Sequence, residues 1–213
     1  MTQRTILFDL DGTISDSAPG ILTSVQYAFE QMGLHYPGHS RRLLGPPIKD
    51  IMAMLHCPPA RVDEAIAHYR VRYRSIGLFE NTVYDGIPEL LKALVDNDDQ
   101  LAIATSKPEV FAVQILEYFG LAECFTFIGG ATLDSSRAAK ADVITHTLAH
   151  LDDVDLENVV MVGDRMHDVM GAESHGIETY GVLWGYGDEL ELSGAGAKAL
   201  VTHPSDLQQM LLS

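Results

Sequence analysis

Carboxylates supply most of the chemistry available to this chain. Asp9 and Asp11 stand two apart in Phe8-Asp9-Leu10-Asp11-Gly12-Thr13, where a short apolar run ends, and Asp164 and Asp168 follow a second such run at Gly163. Side chains two apart on a strand share a face, although a turn at Gly12 can re-aim the second. Carboxylates in pairs, with no sulfur beside them, suit a hard divalent cation such as Mg²⁺ and can also serve as nucleophile and general acid. A third apolar run ends in Thr105 and Ser106 just before Pro108 and a helical pattern, where hydroxyls and helix N-terminal amides can hold a phosphate oxygen. Lys140 opens another helical pattern and brings a cation. Each of these features alone is common on protein surfaces, so their recurrence at successive strand ends carries the argument.

The elements that must position these residues alternate. Short apolar runs span Ile6 to Leu10, Leu101 to Thr105, Phe125 to Gly129, Val159 to Gly163, Glu178 to Leu183 and Ala199 to Val201. Helical periodicity lies between most of them, with faces formed by Ile87, Leu90, Leu91 and Leu94, by Val110, Val113, Leu116 and Phe119, and by Val143, Ile144, Thr147, Leu148 and Leu151. Such alternation predicts an α/β fold, a doubly wound and mainly parallel sheet covered by helices on both faces. In open sheets of this kind ligands bind beyond the carboxyl ends of the strands, where both carboxylate pairs fall.

One interval breaks the pattern. From Ser17 to about Glu80 the chain shows helical patterns and no convincing strand. Ser17 is placed to cap a helix with Pro19 in its first turn that stops at Gly33, and a second helix runs from about Arg61 to Ile76. The expected organisation is a core of residues 1–16 and 81–213 with an all-helical cap of residues 17–80 inserted after the first strand.

The 213 residues carry 14 Lys and Arg against 30 Asp and Glu, a formal charge of −16, which argues against nucleic-acid polymers and anionic membranes as partners. A small phosphorylated metabolite remains compatible, because a metal ion and a few cations can overcome the field locally. The two cysteines, Cys57 and Cys124, show no ligand-like spacing, and no basic, then apolar, leader precedes the first strand. A cytoplasmic protein with reduced thiols is expected; the oligomeric state is not encoded in any of these patterns.

Several residues have plainer readings. His146 and His150, at i and i+4, lack a carboxylate nearby in sequence and read as a solvated helix face. Tyr69 and Tyr73 read as cap packing, and Arg70, Arg72 and Arg74 as a solvated face. Arg41 and Arg42, at a loop-to-helix transition, are the better candidates for a substrate contact. Trp184 sits in a glycine-rich loop and reads as packing beneath the cap or against a ligand.

With these residues in view, the chain resembles the haloacid dehalogenase-like hydrolase superfamily over essentially its whole length. The four motifs of that superfamily match Asp9, Asp11, Gly12 and Thr13; Thr105; Lys140; and Gly163, Asp164 and Asp168. The insert resembles the helical cap of its phosphoglycolate phosphatase-like branch, and Thr105-Ser106-Lys107-Pro108, Lys140-Ala141-Asp142-Val143-Ile144, His175-Gly176-Ile177 and Trp184-Gly185-Tyr186-Gly187 are similar to members named 5'-nucleotidases. The resemblance implies Asp9 as nucleophile and Asp11 as general acid and base. It implies Mg²⁺ held by Asp9, the Asp11 carbonyl, Asp164 and, directly or through a second shell, Asp168. It also implies Gly12, Thr13, Thr105, Ser106 and Lys140 around the phosphoryl group. Dehalogenases of the superfamily lack a second aspartate like Asp11, and phosphonate hydrolysis needs a cap lysine, of which Lys49 is the only one. The expectation is therefore a phosphatase of small phosphomonoesters, nucleoside 5'-monophosphates first and phosphoglycolate as the alternative. A non-catalytic module that binds a phosphorylated ligand is the alternative of another class.

Overall fold

The computed structural model describes residues 3–213; Met1 and Thr2, with which the expected core segment begins, lie outside the described residues. All six apolar runs become strands of one sheet. In chain order these are β1 (Thr5–Phe8), β4 (Gln100–Pro108), β5 (Phe127–Ala131), β6 (Val159–Gly163), β7 (Glu178–Val182) and β8 (Ala199–Val201), the numbers β2 and β3 belonging to a separate ribbon, Ser15–Asp16 and Thr82–Val83. The order across the sheet is β5-β4-β1-β6-β7-β8, and every pairing is parallel. The chain starts in the middle, moves outward through β4 and β5, then returns to build the other side. Its switch point therefore lies at β1, flanked by β4 and β6, which are the strands that end in the candidate residues.

Burial explains the runs. Ile6, Leu7 and Phe8 are fully buried because helices cover both faces of the sheet. On one face Ile6, Phe8, Ile103 and Val162 pack with Leu90, Leu91 and Leu94 of α4 (Ile87–Asp96) and Leu207 and Leu211 of α9 (Pro204–Leu212). On the other, Leu7, Ala102 and Met161 pack with Val143 and Ile144 of α6 (Lys140–Leu148) and Ala172 of α7 (Met166–Glu173). The alternation of Ile6, Leu7 and Phe8 between the two cores is the period of two that a strand imposes. One helix is rotated from expectation. In α5 (Glu109–Tyr118) the buried face is Phe111, Ala112, Ile115 and Leu116, whereas Val110 is 48% exposed. The cause is Phe111, which turns inward to meet the ring of Tyr73 edge-on at 5.7 Å. Between β7 and β8 the chain forms α8 (Glu189–Ala195).

Residues between β2 and β3 are helical, in α1 (Ala18–Gln31), α2 (Ile48–Met54) and α3 (Val62–Arg72), the last running on into a π-helical turn at Tyr73–Gly77. The ribbon itself, Ser15 opposite Val83 and Asp16 opposite Thr82, was not expected, since two residues per strand are too few to show a period. Gly20 and Gly77 let α1 and the π turn touch: a Cβ on Gly20 would lie 2.0 Å from the Gly77 carbonyl oxygen. Arg72 clasps Glu80 through two hydrogen bonds of 2.7 and 2.8 Å and ties the end of this unit back to Ser24 of α1.

Candidate active site

The strand ends bring Asp9, Asp164 and Asp168 together. One oxygen from each lies within 4.8 Å of the others, and all three side chains are buried. Asp9 continues β1, its amide donating to the Val162 carbonyl at 2.9 Å. Asp164 follows β6 directly. Its Oδ1 accepts from Thr13 Oγ1 at 3.2 Å and its Oδ2 from the Tyr186 amide at 2.7 Å. Asp168 sits in the first turn of α7 and accepts from the Arg165 amide at 3.0 Å through Oδ2, one half of a capping box. Gly12 makes the turn with φ +90, and a Cβ there would fall 2.2 Å from Asp164 Oδ2, so no other residue fits.

Lys140 clamps the cluster. Its ammonium lies 2.8 Å from Asp9 Oδ1, 2.7 Å from Asp168 Oδ1 and 2.8 Å from the Ala104 carbonyl. Burial alone would lower the pKa of this lysine, but the Asp168 and Asp9 carboxylates outweigh it and the ammonium is held above its ordinary value. Burial pushes the Asp164 carboxyl well above the usual carboxylate range, and the charges of Asp168 and Asp9 add to that. Such a set is short of positive charge. Three buried carboxylates with all-oxygen donors and a single lysine therefore fit a hard divalent cation such as Mg²⁺.

Asp11 is aimed elsewhere. Its carboxylate does not join the cluster; Oδ1 accepts from Ser17 Oγ at 2.5 Å and Oδ2 pairs with Lys107 Nζ at 2.9 Å. The turn at Gly12 has separated the two carboxylates of the first strand into two environments. This explains why Ser17, expected to cap α1 with its side chain, does not. Its hydroxyl is spent on Asp11, and the Ala18 amide is satisfied instead by Asp16 Oδ1 at 3.1 Å.

Thr105 is buried and its Oγ1 accepts from the Lys107 amide at 3.2 Å; Ser106 is half-buried and lines a cavity with Asp11. Arg41 and Arg42 lie on an exposed 3-10 turn, and neither guanidinium makes a hydrogen bond or ion pair among the described residues. Trp184 donates from Nε1 to the Thr13 carbonyl at 3.0 Å, bracing the motif turn. His146 does have a carboxylate beside it, Glu109 Oε2 at 3.2 Å, contributed by α5 and so invisible in local sequence. His150 spends its Nδ1 on the His146 carbonyl, and the pair stays outside any acidic cluster.

Sequence reasoning assigns no site role to Lys107 or Tyr186, although both lie in the stretches that resemble 5'-nucleotidases. Lys107 is 7% exposed, bonds the Tyr73 hydroxyl and lies 4.8 Å from the centre of that ring. A lysine two residues past the hydroxyl at the end of a buried strand was the available signal. Tyr186 accepts from the Ser17 amide at 2.9 Å and donates to Asp16 Oδ1 at 3.1 Å; burial raises its pKa and keeps the hydroxyl neutral. Beyond Asp11, Ser106 and Lys107 a cavity opens beneath the helical insert, walled by Ile48, Ile51, Tyr69, Tyr73 and Phe111.

The chain is similar to several known proteins. A family model described as haloacid dehalogenase-like hydrolase matches residues 6–182. A protein of Pseudomonas aeruginosa named 5'-nucleotidase is 45% identical over 190 residues, covering 88% of this chain and 86% of its own. The Mycobacterium tuberculosis protein named tyrosine-protein kinase PtkA is 40% identical over 207 residues, covering 96% of this chain and 70% of its own. A crystal structure described as a predicted phosphatase from Clostridium acetobutylicum superposes with a TM-score of 0.93 at 39% identity, covering 100% of this chain and 99% of that one.

Proposed function

Because the chain belongs to the haloacid dehalogenase-like hydrolase family, we propose that it is a Mg²⁺-dependent phosphatase of small phosphomonoesters, with nucleoside 5'-monophosphates as its preferred substrates. The observation that carries this reading is the division of carboxylates: Asp9 stands in the Lys140-clamped cluster, while Asp11 is held separately beside the cavity that would take the leaving group. Residues 17–80 act as the cap and residues 1–16 and 81–213 as the core. The name of the Pseudomonas relative supports a nucleotide, and the cavity beside Asp11 is walled largely by apolar and aromatic side chains. The substrate would be a free metabolite of the cytoplasm, in keeping with two free cysteines; among the described residues no helix is long and apolar enough to cross a membrane.

In this scheme Lys140 holds Asp9 Oδ1, so the other carboxylate oxygen attacks phosphorus in line, forming an aspartyl phosphate as the bond to the leaving oxygen breaks. Asp11 gives its proton to that oxygen. It then takes a proton from water, whose oxygen attacks the same phosphorus and releases Asp9 with inorganic phosphate. Thr105 and Ser106, with the amides around them, Gly12 and Thr13 orient the phosphoryl oxygens, and Lys140 offsets their charge. Asp9, the Asp11 carbonyl, Asp164 and, directly or through water, Asp168 would hold Mg²⁺, which would supply the positive charge that lets a carboxylate approach a phosphate dianion.

The test is a comparison of kcat/KM for nucleoside 5'-monophosphates, phosphoglycolate and p-nitrophenyl phosphate, each with Mg²⁺, with Ca²⁺ and with EDTA. Expected are a nucleotide-to-phosphoglycolate ratio above one, loss of turnover in EDTA, and inhibition by Ca²⁺, whose looser shell does not enforce in-line attack. A ratio below one would assign phosphoglycolate instead. Absence of turnover on all three would leave the non-catalytic module.

A further inference from the structure

We infer that Arg70 selects the leaving group, and that it selects a base presenting oxo acceptors, so that inosine and guanosine 5'-monophosphates are preferred over adenosine 5'-monophosphate. This inference rests on the nucleotidase reading and adds the class of base and the residue that reads it.

Arg70 lies in the last turn of α3, and its side chain lines the same cavity as Asp11, Ser106 and Lys107. Most arginines of this acidic chain are neutralised: Arg4, Arg61, Arg72, Arg137 and Arg165 each pair with a carboxylate. Of the two cations that line the cavity, Lys107 is matched by Asp11. Arg70 has no such match. It makes one hydrogen bond, from Nη2 to the Leu133 carbonyl, and no ion pair among the described residues. Its guanidinium is thus presented at the cavity wall without an ion pair among the described residues, although Asp63 and Asp134 line a second cleft beside it.

The neighbouring wall is aromatic. Tyr69 and Tyr73 stack with centroids 5.0 Å apart and an interplanar angle of 14°, and Phe111 closes on Tyr73. Tyr69, Tyr73 and Phe111 are themselves 7%, 1% and 3% exposed, so they set the shape of the wall while Arg70 supplies its unpaired donors. A guanidinium has donors only, in a planar fork. Oxopurines answer it with two neighbouring acceptors, O6 and N7, whereas adenine places an amino donor beside N7, which opposes donor to donor. Arg41 and Arg42, the expected substrate contacts, are exposed and do not line this cavity.

The experiment measures kcat/KM for inosine and adenosine 5'-monophosphates, which differ at position 6 of the base and in the proton on N1, with phosphoglycolate and p-nitrophenyl phosphate as references, in wild type, Arg70→Met and Arg70→Lys. Wild type should favour the inosine nucleotide by about tenfold or more. Arg70→Met should bring that ratio close to one, through a raised KM for the inosine nucleotide, while p-nitrophenyl phosphate, which lacks a base edge, stays within about twofold. Arg70→Lys keeps the charge but loses the fork and should recover only part of the ratio. An unchanged ratio in Arg70→Met would overturn the inference with the nucleotidase reading intact. So would an equal loss on p-nitrophenyl phosphate, which would mean that Arg70 serves cap placement through Leu133. A wild-type enzyme that prefers phosphoglycolate to both nucleotides would show the different failure, that of the nucleotidase reading itself, and the inference would fall with it.

Discussion

Replacing Asp9 by Asn should abolish phosphate release, by about ten-thousand-fold or more in single turnover, while the protein keeps its folding transition. The size of the loss follows from the role: removing a nucleophile removes the first covalent step, and no neighbouring group takes its place. Asp164 is engaged by Thr13 and Tyr186, Asp168 by Arg165 and Lys140, and Asp11 faces Ser17 and Lys107. Survival of the fold follows from the same contacts. An Asn side chain keeps the shape, Lys140 retains Asp168 and the Ala104 carbonyl, and one negative charge leaves a crowded cluster. Substantial residual release by a folded Asp9→Asn protein would remove Asp9 from the role.

Asp11→Asn should divide substrates by leaving group. An alkyl oxygen cannot depart without a proton, so the phosphorylation step on a nucleoside monophosphate should fall by about a hundredfold to ten-thousandfold. p-Nitrophenolate departs unaided, and its burst should persist while the slow second step, in which water must lose a proton, limits turnover. Ser17 and Lys107 hold the two oxygens of Asp11 without the cluster's help, which is why the substitution should leave Asp9 and Lys140 in place. Equal losses on both substrates in the burst phase would make Asp11 a positioning group instead.

The parts of this account that could be read from the sequence are those that a linear pattern records. Doubly covered strands are continuous apolar runs, so Ile6 to Phe8 and Val159 to Val162 announced the sheet, and carboxylates at their ends announced the cluster. The contacts of Asp11 left no such trace. Lys107 meets it from another strand, and Ser17 does so only because the Gly12 turn folds the chain back on itself. The same holds for the burial of Phe111 against Tyr73, the Glu109 carboxylate beside His146 and the ribbon of β2 and β3: each depends on partners distant in the chain. In the sequence Arg70, Arg72 and Arg74 are alike, arginines at every second position that read as a solvated face. In the fold Arg72 is locked to Glu80, Arg74 lies over the Phe111 ring and Arg70 alone faces the cavity, a distinction set by the helical turn and not by residue type.

In this mechanism phosphate passes through Asp9, and chemical trapping shows whether it does. Asp11→Asn protein turning over p-nitrophenyl phosphate with Mg²⁺ should accumulate the aspartyl phosphate, because water activation is impaired. Quenching into borohydride reduces an acyl phosphate to the alcohol, so peptide mass spectrometry should find homoserine at position 9 and at no other aspartate. Homoserine at a different position, none at any position despite turnover, or phosphate recovered on a residue other than an aspartate would contradict this.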